Sequence, residues 1–282
     1  MKGYFINDLH IDKWVKTQSS FANTAQYKKL LEKWCIPADC LFIAGDVACS
    51  VNSIYSTFKV LSEMYDHIFY VYGNHEMRLN DEDRQRNLDT YSKRERIETF
   101  LHTATFDERK KKDMLTILKG NEKFHEGVRV IGGMCYADAS MSDDKTAAEE
   151  KWKNSGDCKD FSLGWSADLH EIAEYENDAV AKVASTIDSV VMTHFGPHQL
   201  IDIDMELKAN GLDYGLSTFD GEKIINQLSS DLTIWHYGHL HDQTKKEYRV
   251  NGKTILALNN SVGSPDKPPK HKLDKSEFLI TL

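Results

Sequence analysis

Asp39-Cys40-Leu41-Phe42-Ile43-Ala44-Gly45-Asp46 sets an unbroken apolar run between an acidic residue and a Gly-Asp pair. Such a run, bounded by turn residues, reads as a buried strand. An acidic side chain at its end has no fold-level reason to lie beside a sheet unless something cationic meets it. The same grammar recurs on either side. Upstream, GYFIN at 3–7 is a short strand running into Asp8, and a helix over 24–35 follows, with Tyr27, Leu30, Leu31 and Trp34 at helical spacing. Downstream, a helix over 52–65 leads to the strand HIFYVYG at 67–73, which ends at Asn74-His75-Glu76. Three polar clusters therefore sit just beyond the carboxyl ends of three strands, where open α/β sheets place their sites.

The later chain continues the pattern. Residues 80–119 are rich in Asp, Glu, Lys and Arg and read as two solvated helices, a helical insertion over about 80–120. VRVIGGMCYAD at 128–138 is a strand, and the polar stretch 138–165, with Trp152, Phe161 and Trp165, reads as a lid over a pocket. A helix over 165–186 follows. DSVVMTHFGP is then a strand running into His194, and DLTIWHYGHLH is one running into His239 and His241. TILALNN, a Gly/Pro/Lys turn region and EFLITL close the chain. There is no internal repeat and no domain boundary, so residues 1–282 read as one domain.

Bulk properties exclude several classes. The 282 residues are 40% hydrophobic, without an apolar run long enough to span a bilayer, and the start MKGYFIND has no leader-like pattern, so the expectation is a cytoplasmic protein. The cysteines Cys35, Cys40, Cys49, Cys135 and Cys158 are odd in number and lack a CxxC pair, which fits reduced thiols. A net charge of −9 argues against a general nucleic-acid surface.

The chemistry-bearing residues come in order. Asp8 and His10, two apart on an extended segment, point to one face. Asp46 follows its strand. In Gly73-Asn74-His75-Glu76 the glycine permits a sharp turn and the Asn oxygen is a neutral hard ligand. His194 ends an apolar strand, and Gly238-His239-Leu240-His241 sets two imidazoles on one face. Oxygen and imidazole donors suit manganese, iron or zinc.

This ordered set, D-x-H, G-D, G-N-H-E, strand-His and G-H-x-H, resembles the calcineurin-like metallophosphoesterase family, and the resemblance covers nearly the whole chain. It implies an α/β fold: a four-layer α/β/β/α sandwich of two mixed sheets flanked by helices. It also implies two divalent metal ions, manganese first, with iron, zinc, nickel, cobalt or magnesium compatible. Asp8, His10, Asp46 and His241 would hold one ion; Asp46 would bridge to a second completed by Asn74, His194 and His239. His75 would contact the phosphoryl group and protonate, or stabilise, the leaving oxygen while metal-bound hydroxide attacks in line.

The implied activity is hydrolysis of a phosphate ester, with a phosphodiester or nucleotide-like small molecule ahead of a monoester. The alternatives are a DNA nuclease of the same family or a catalytically silent scaffold. Where many family members carry an acidic residue three positions after the Asp of the Gly-Asp pair, this chain has Cys49, and it lacks the Asp-Arg-Gly continuation of the protein Ser/Thr phosphatases. Cys49 is expected near the metals, and His198, Tyr136 and Asp138 near the substrate. Partners other than a phosphate-ester substrate are not indicated: no membrane, and nucleic acid disfavoured.

Overall fold

Alternation along the buried strands decides where each side chain goes. Phe5, Phe42 and Phe69 hold aligned positions on three adjacent parallel strands, Lys2–Ile6, Cys40–Ala44 and His67–Val71. Their rings stack with centroids 4.5 and 5.0 Å apart. Phe5 also meets the ring of His236, from another sheet, edge-on at 5.3 Å. Intervening residues face the opposite side, where Tyr4 donates to the Trp34 carbonyl and Tyr70 packs on Phe58. These strands are apolar throughout because both faces are covered.

The computed structural model describes residues 1–15, 24–108, 112–137, 146–147, 168–184, 189–202, 218–229, 232–269 and 272–282. Its first sheet runs in the order Leu279–Thr281, Lys2–Ile6, Cys40–Ala44, His67–Val71 and Leu115–Ile117, with Leu279–Thr281 antiparallel and the others parallel. The second runs Gln243–Val250, Lys253–Asn260, Leu232–His236, Ser189–Thr193, Val128–Gly133 and Asn121–His125. Its four central strands are parallel and its outer two are hairpin partners.

Helices Thr24–Trp34, Val51–Met64 and Thr90–Thr105 lie over the first sheet, and Asp168–Val183 and Glu222–Gln227 over the second. The result is the helix–sheet–sheet–helix sandwich expected from the sequence. His236 joins its two inner layers, its Nδ1 lying 3.2 Å from the Leu258 carbonyl and its Nε2 3.1 Å from that of Ile6.

The charged stretch departs from its all-helical expectation. It forms helices at Asp81–Gln85 and Thr90–Thr105, but Phe106–Asp107 then pairs with Lys112–Asp113, and Leu115–Ile117 becomes the edge strand beside His67–Val71. Burying Met114 and Leu115 at a sheet edge outweighs the surrounding charge. The lid segment 138–165, apart from 146–147, lies outside the described residues, as do Asp138 and Cys158. No helix among the described residues is long and apolar enough to cross a membrane.

Candidate metal centre

Five parallel strands, Lys2–Ile6, Cys40–Ala44, His67–Val71, Ser189–Thr193 and Leu232–His236, each run into a polar residue just past the carboxyl end, and at several of these the backbone turns sharply. Asp8, His10, Asp46, His239 and His241 all adopt left-handed conformations, with φ of 51°, 40°, 56°, 69° and 50°. Such geometry costs a non-glycine residue of order 1–3 kcal/mol and persists where the surroundings over-determine it. Here cross-loop hydrogen bonds do so: the Asp8 N–H donates to the Gly45 carbonyl, the His10 N–H to Asp46 and the Gly238 N–H to His194.

Gly45, at φ +80°, has no room for a side chain, since an added Cβ would stand 2.5 Å from His194 Nδ1 and 2.8 Å from Gly73 Cα. The Gly-Asp and Gly-Asn-His-Glu turns are therefore packed backbone to backbone. Glu76 fastens them: its buried carboxylate accepts N–H bonds from Asp46 at 3.0 Å, Val47 at 2.5 Å and Gly73 at 2.8 Å. Burial pushes the Glu76 carboxyl up, and those N–H bonds pull it back towards ionisation.

The side chains converge. Donor atoms of Asp8, His10, Asp46 and His241 all lie within 4.8 Å of one another. His10 Nε2 and His241 Nε2 are 2.8 Å apart, and His10 Nε2 is 3.7 Å from Asp46 Oδ2. On the other side of Asp46, its Oδ1 is 3.5 Å from His194 Nε2, which is itself 2.9 Å from Asn74 Oδ1. The His239 ring lies 5.3 Å from that of His194, and the His239 N–H donates to Asp8 Oδ1. Asp8, His10, His241, His194 and Asn74 are thus gathered around one carboxylate, Asp46, with His239 packed against His194.

The donor chemistry fits divalent cations. Burial, followed by the charges of Glu76 and Asp8, pushes the Asp46 carboxyl well above its usual range, so an ionised Asp46 needs a cation beside it. Burial likewise holds His10 and His239 well below the usual imidazole value, each reinforced by a neighbouring histidine, leaving them as the neutral rings a metal requires. Outer partners fix ring orientation: His194 Nδ1 donates to the Ala44 carbonyl at 2.8 Å, and His241 Nδ1 to that of Lys267 at 3.3 Å. In both rings this leaves the Nε2 lone pair facing inward.

His75 lies beside this cluster, its ring 4.4 Å from that of His10 and its Nε2 3.8 Å from Asp46 Oδ2. Cys49 Sγ is 3.2 Å from His75 Nδ1, so Cys49 stands against His75. Burial, then the charge of Asp12, pushes its thiol up to about 12. Tyr136 is 1% exposed and packs edge-on against Phe195, whose ring backs His239 at 4.2 Å. It is buried behind His239 and does not line an open rim. His198 is half-buried and opens the short turn His198–Leu200.

Sequence reasoning missed Asn7, whose amide joins Asp8 Oδ2 at 2.6 Å to Asn259 Oδ1 at 2.9 Å, and the clamp made by Glu76. Position carried the signal in both cases, since Asn7 precedes Asp8 and Glu76 closes the Gly-Asn-His-Glu tetrad. A separate cavity of about 1040 Å³, lined by Lys59, Asp66, His102, Asp107 and Asp113 among others, opens at the amino ends of the first-sheet strands, away from this cluster.

The calcineurin-like phosphoesterase family model matches residues 1–243. No curated protein matches the sequence. Among solved structures, the phosphopantetheinyl hydrolase PptH from Mycobacterium tuberculosis superposes with a TM-score of 0.65 at 16% identity, covering 99% of this chain and 94% of that one. The Thermus thermophilus sulfate thiohydrolase SoxB aligns over 92% of this chain and 51% of its own at 12% identity, with a TM-score of 0.37. At these identities the first likeness speaks for the fold and the second carries no argument.

Proposed function

Because the chain belongs to the calcineurin-like phosphoesterase family, we propose that it hydrolyses a small phosphate ester, a phosphodiester or nucleotide-like molecule ahead of a monoester, at a dinuclear metal centre. The observation that carries this reading is the convergence of Asp8, His10, His241, Asn74 and His194 on the buried carboxylate of Asp46.

In this reading Asp8, His10, Asp46 and His241 hold one cation, and Asp46, Asn74, His194 and His239 the other. Bound divalent cations supply an acidified water and neutralise charge on the phosphoryl oxygens. A shared Asp46 carboxylate offsets the repulsion between two such charges. His75 Nε2 lies beside the same centre and would protonate or stabilise the departing oxygen. Mixed oxygen and imidazole donors accept manganese readily, and manganese is our first choice.

A small substrate suits the −9 charge of the chain, which disfavours a long polyanion. The structural neighbour that is a phosphopantetheinyl hydrolase is in keeping with it. The free thiols of Cys35, Cys40, Cys49 and Cys135 suit a cytoplasmic setting. Continuous packing of the two sheets supports a single domain over 1–282.

The test is a screen of manganese-loaded protein and its His75→Ala variant against bis-aryl and mono-aryl phosphates, cyclic nucleotides and a short DNA. Metal-dependent turnover that falls in the variant supports the reading, with diesters ahead of monoesters. Preference for DNA would establish the nuclease instead, and no turnover of any ester would favour a binding protein on this fold.

A further inference from the structure

His75 is held from its far side by two donors. Arg78 Nη1 and Cys49 Sγ each lie 3.2 Å from His75 Nδ1. A guanidinium carries only N–H groups and cannot accept a hydrogen bond. The nitrogen it faces must therefore offer a lone pair, and the ring proton of a neutral His75 must sit on Nε2. Nε2 is the nitrogen aimed inward, 3.8 Å from Asp46 Oδ2.

The two donors are themselves fixed. Lys93, fully buried on the helix Thr90–Thr105, donates to the Cys49 carbonyl at 2.8 Å and to the Arg78 carbonyl, and pairs with the buried Asp83 at 2.9 Å. One ammonium thus ties together the backbones of both residues that face His75 Nδ1. Asn80 adds a bond from its side-chain amide to the same Cys49 carbonyl at 3.5 Å and caps the helix Asp81–Gln85 by accepting from the Asp83 N–H.

We propose that Arg78, anchored by Lys93, is a positioning residue that sets the tautomer of His75, keeping its single proton on Nε2, from which the neutral ring donates a hydrogen bond to a leaving oxygen. This rests on the phosphoesterase reading for what the proton does, but the tautomer stands independently of turnover. The charged insertion that follows the Gly-Asn-His-Glu turn thereby gains a role in the site: its first helical turns hold the residue that orients the His75 donor.

Two measurements test it. Long-range proton–nitrogen NMR of the zinc-loaded protein at pH 8 reads which His75 nitrogen carries the proton, whether or not any ester is hydrolysed. The expected result is a protonated Nε2 and a bare Nδ1 in the wild type, lost as a single defined state in Arg78→Met. A protonated Nδ1 in the wild type overturns the proposal.

The second is kinetic, on manganese-loaded enzyme with aryl phosphate esters of graded leaving-group basicity. A hydrogen bond donated to a leaving oxygen that gains charge contributes roughly 10–100-fold and matters most for a poor leaving group. Arg78→Met is expected to lower kcat about 10-fold or more on the most basic leaving group and to change it less than about 3-fold on the least basic, with KM little altered. An equal loss across the series, or a loss confined to KM, overturns the proposal and makes Arg78 a structural or phosphate-binding residue. A wild type inert on every ester would sink the phosphoesterase reading alone, because the NMR result is read separately.

Discussion

His10 Nε2 and His241 Nε2 stand 2.8 Å apart although 231 residues separate them in the chain. Because His241 donates from Nδ1 to the Lys267 carbonyl, its Nε2 presents a lone pair to His10, and both rings point at the place where Asp8 and Asp46 also direct oxygen. A divalent cation there binds only the folded state. At a hundredfold excess over its dissociation constant it should stabilise the protein by about 2.7 kcal/mol. Thermal unfolding with and without manganese after chelator treatment checks this. His241→Ala should lose most of the increment, and an equal increment in that variant would contradict the assignment.

Glu76 accepts backbone N–H bonds from Asp46, Val47 and Gly73 and so holds the loops that present the proposed ligands. Glu76→Gln keeps the volume but replaces half the acceptor capacity with donors that face the N–H groups of Asp46, Val47 and Gly73. The expected cost is about 2–3 kcal/mol in urea unfolding, with weakened metal retention. An unchanged denaturation midpoint would show that the clamp is dispensable.

Lys93 and Asp83 form an ion pair with 0% and 1% side-chain exposure. Removing one member leaves the other charge buried, so Lys93→Met should destabilise by about 3–5 kcal/mol. The double variant Lys93→Met, Asp83→Leu should recover much of that loss in the same unfolding assay. If the two single losses simply added, the pair would not be coupled in the way its geometry requires.

Stability should also depend on pH through the inter-layer histidine. Burial lowers the His236 value to about 4, below the ordinary value of about 6.5. As pH falls through that window the unfolded chain takes up the proton first. The stabilisation is complete above about 6.5 and is progressively lost down to about pH 4, by an amount of the order of 3 kcal/mol. Urea unfolding of chelator-treated protein from pH 7.5 to 4.5 reads it. His236→Phe should remove that share of the dependence, leaving the part due to other buried imidazoles such as His10 and His239. It should also lower stability at pH 7, because whichever of the Ile6 and Leu258 carbonyls the neutral ring's single N–H serves loses its donor.

The central strands and the residues that cluster around Asp46 were legible because these strands are apolar runs that stop at a glycine or a polar residue, as Ala44-Gly45-Asp46 does. The outer strands were not. Gln243–Val250 alternates without a strong apolar face, and its burial is correspondingly slight. Its signal was the Asn251-Gly252 turn, where both residues take positive φ, at 50° and 75°, and close a hairpin. Glu126-Gly127 does the same for Asn121–His125. Leu115–Ile117 was hidden by the charges around it. The roles of Arg78 and Lys93 could not be read from spacing at all. They arise because a loop and a helix from different parts of the chain meet behind His75, and tertiary placement of this kind leaves no local pattern.

The most direct test of the central claim is the rate of bis-aryl phosphodiester hydrolysis by chelator-treated protein as manganese is added back in measured equivalents per chain. The account predicts that activity rises to a break at two equivalents in the wild type and stays at the uncatalysed background in Asp46→Ala, which lacks the shared carboxylate. Full activity without added metal, or hydrolysis that persists in Asp46→Ala, would contradict it.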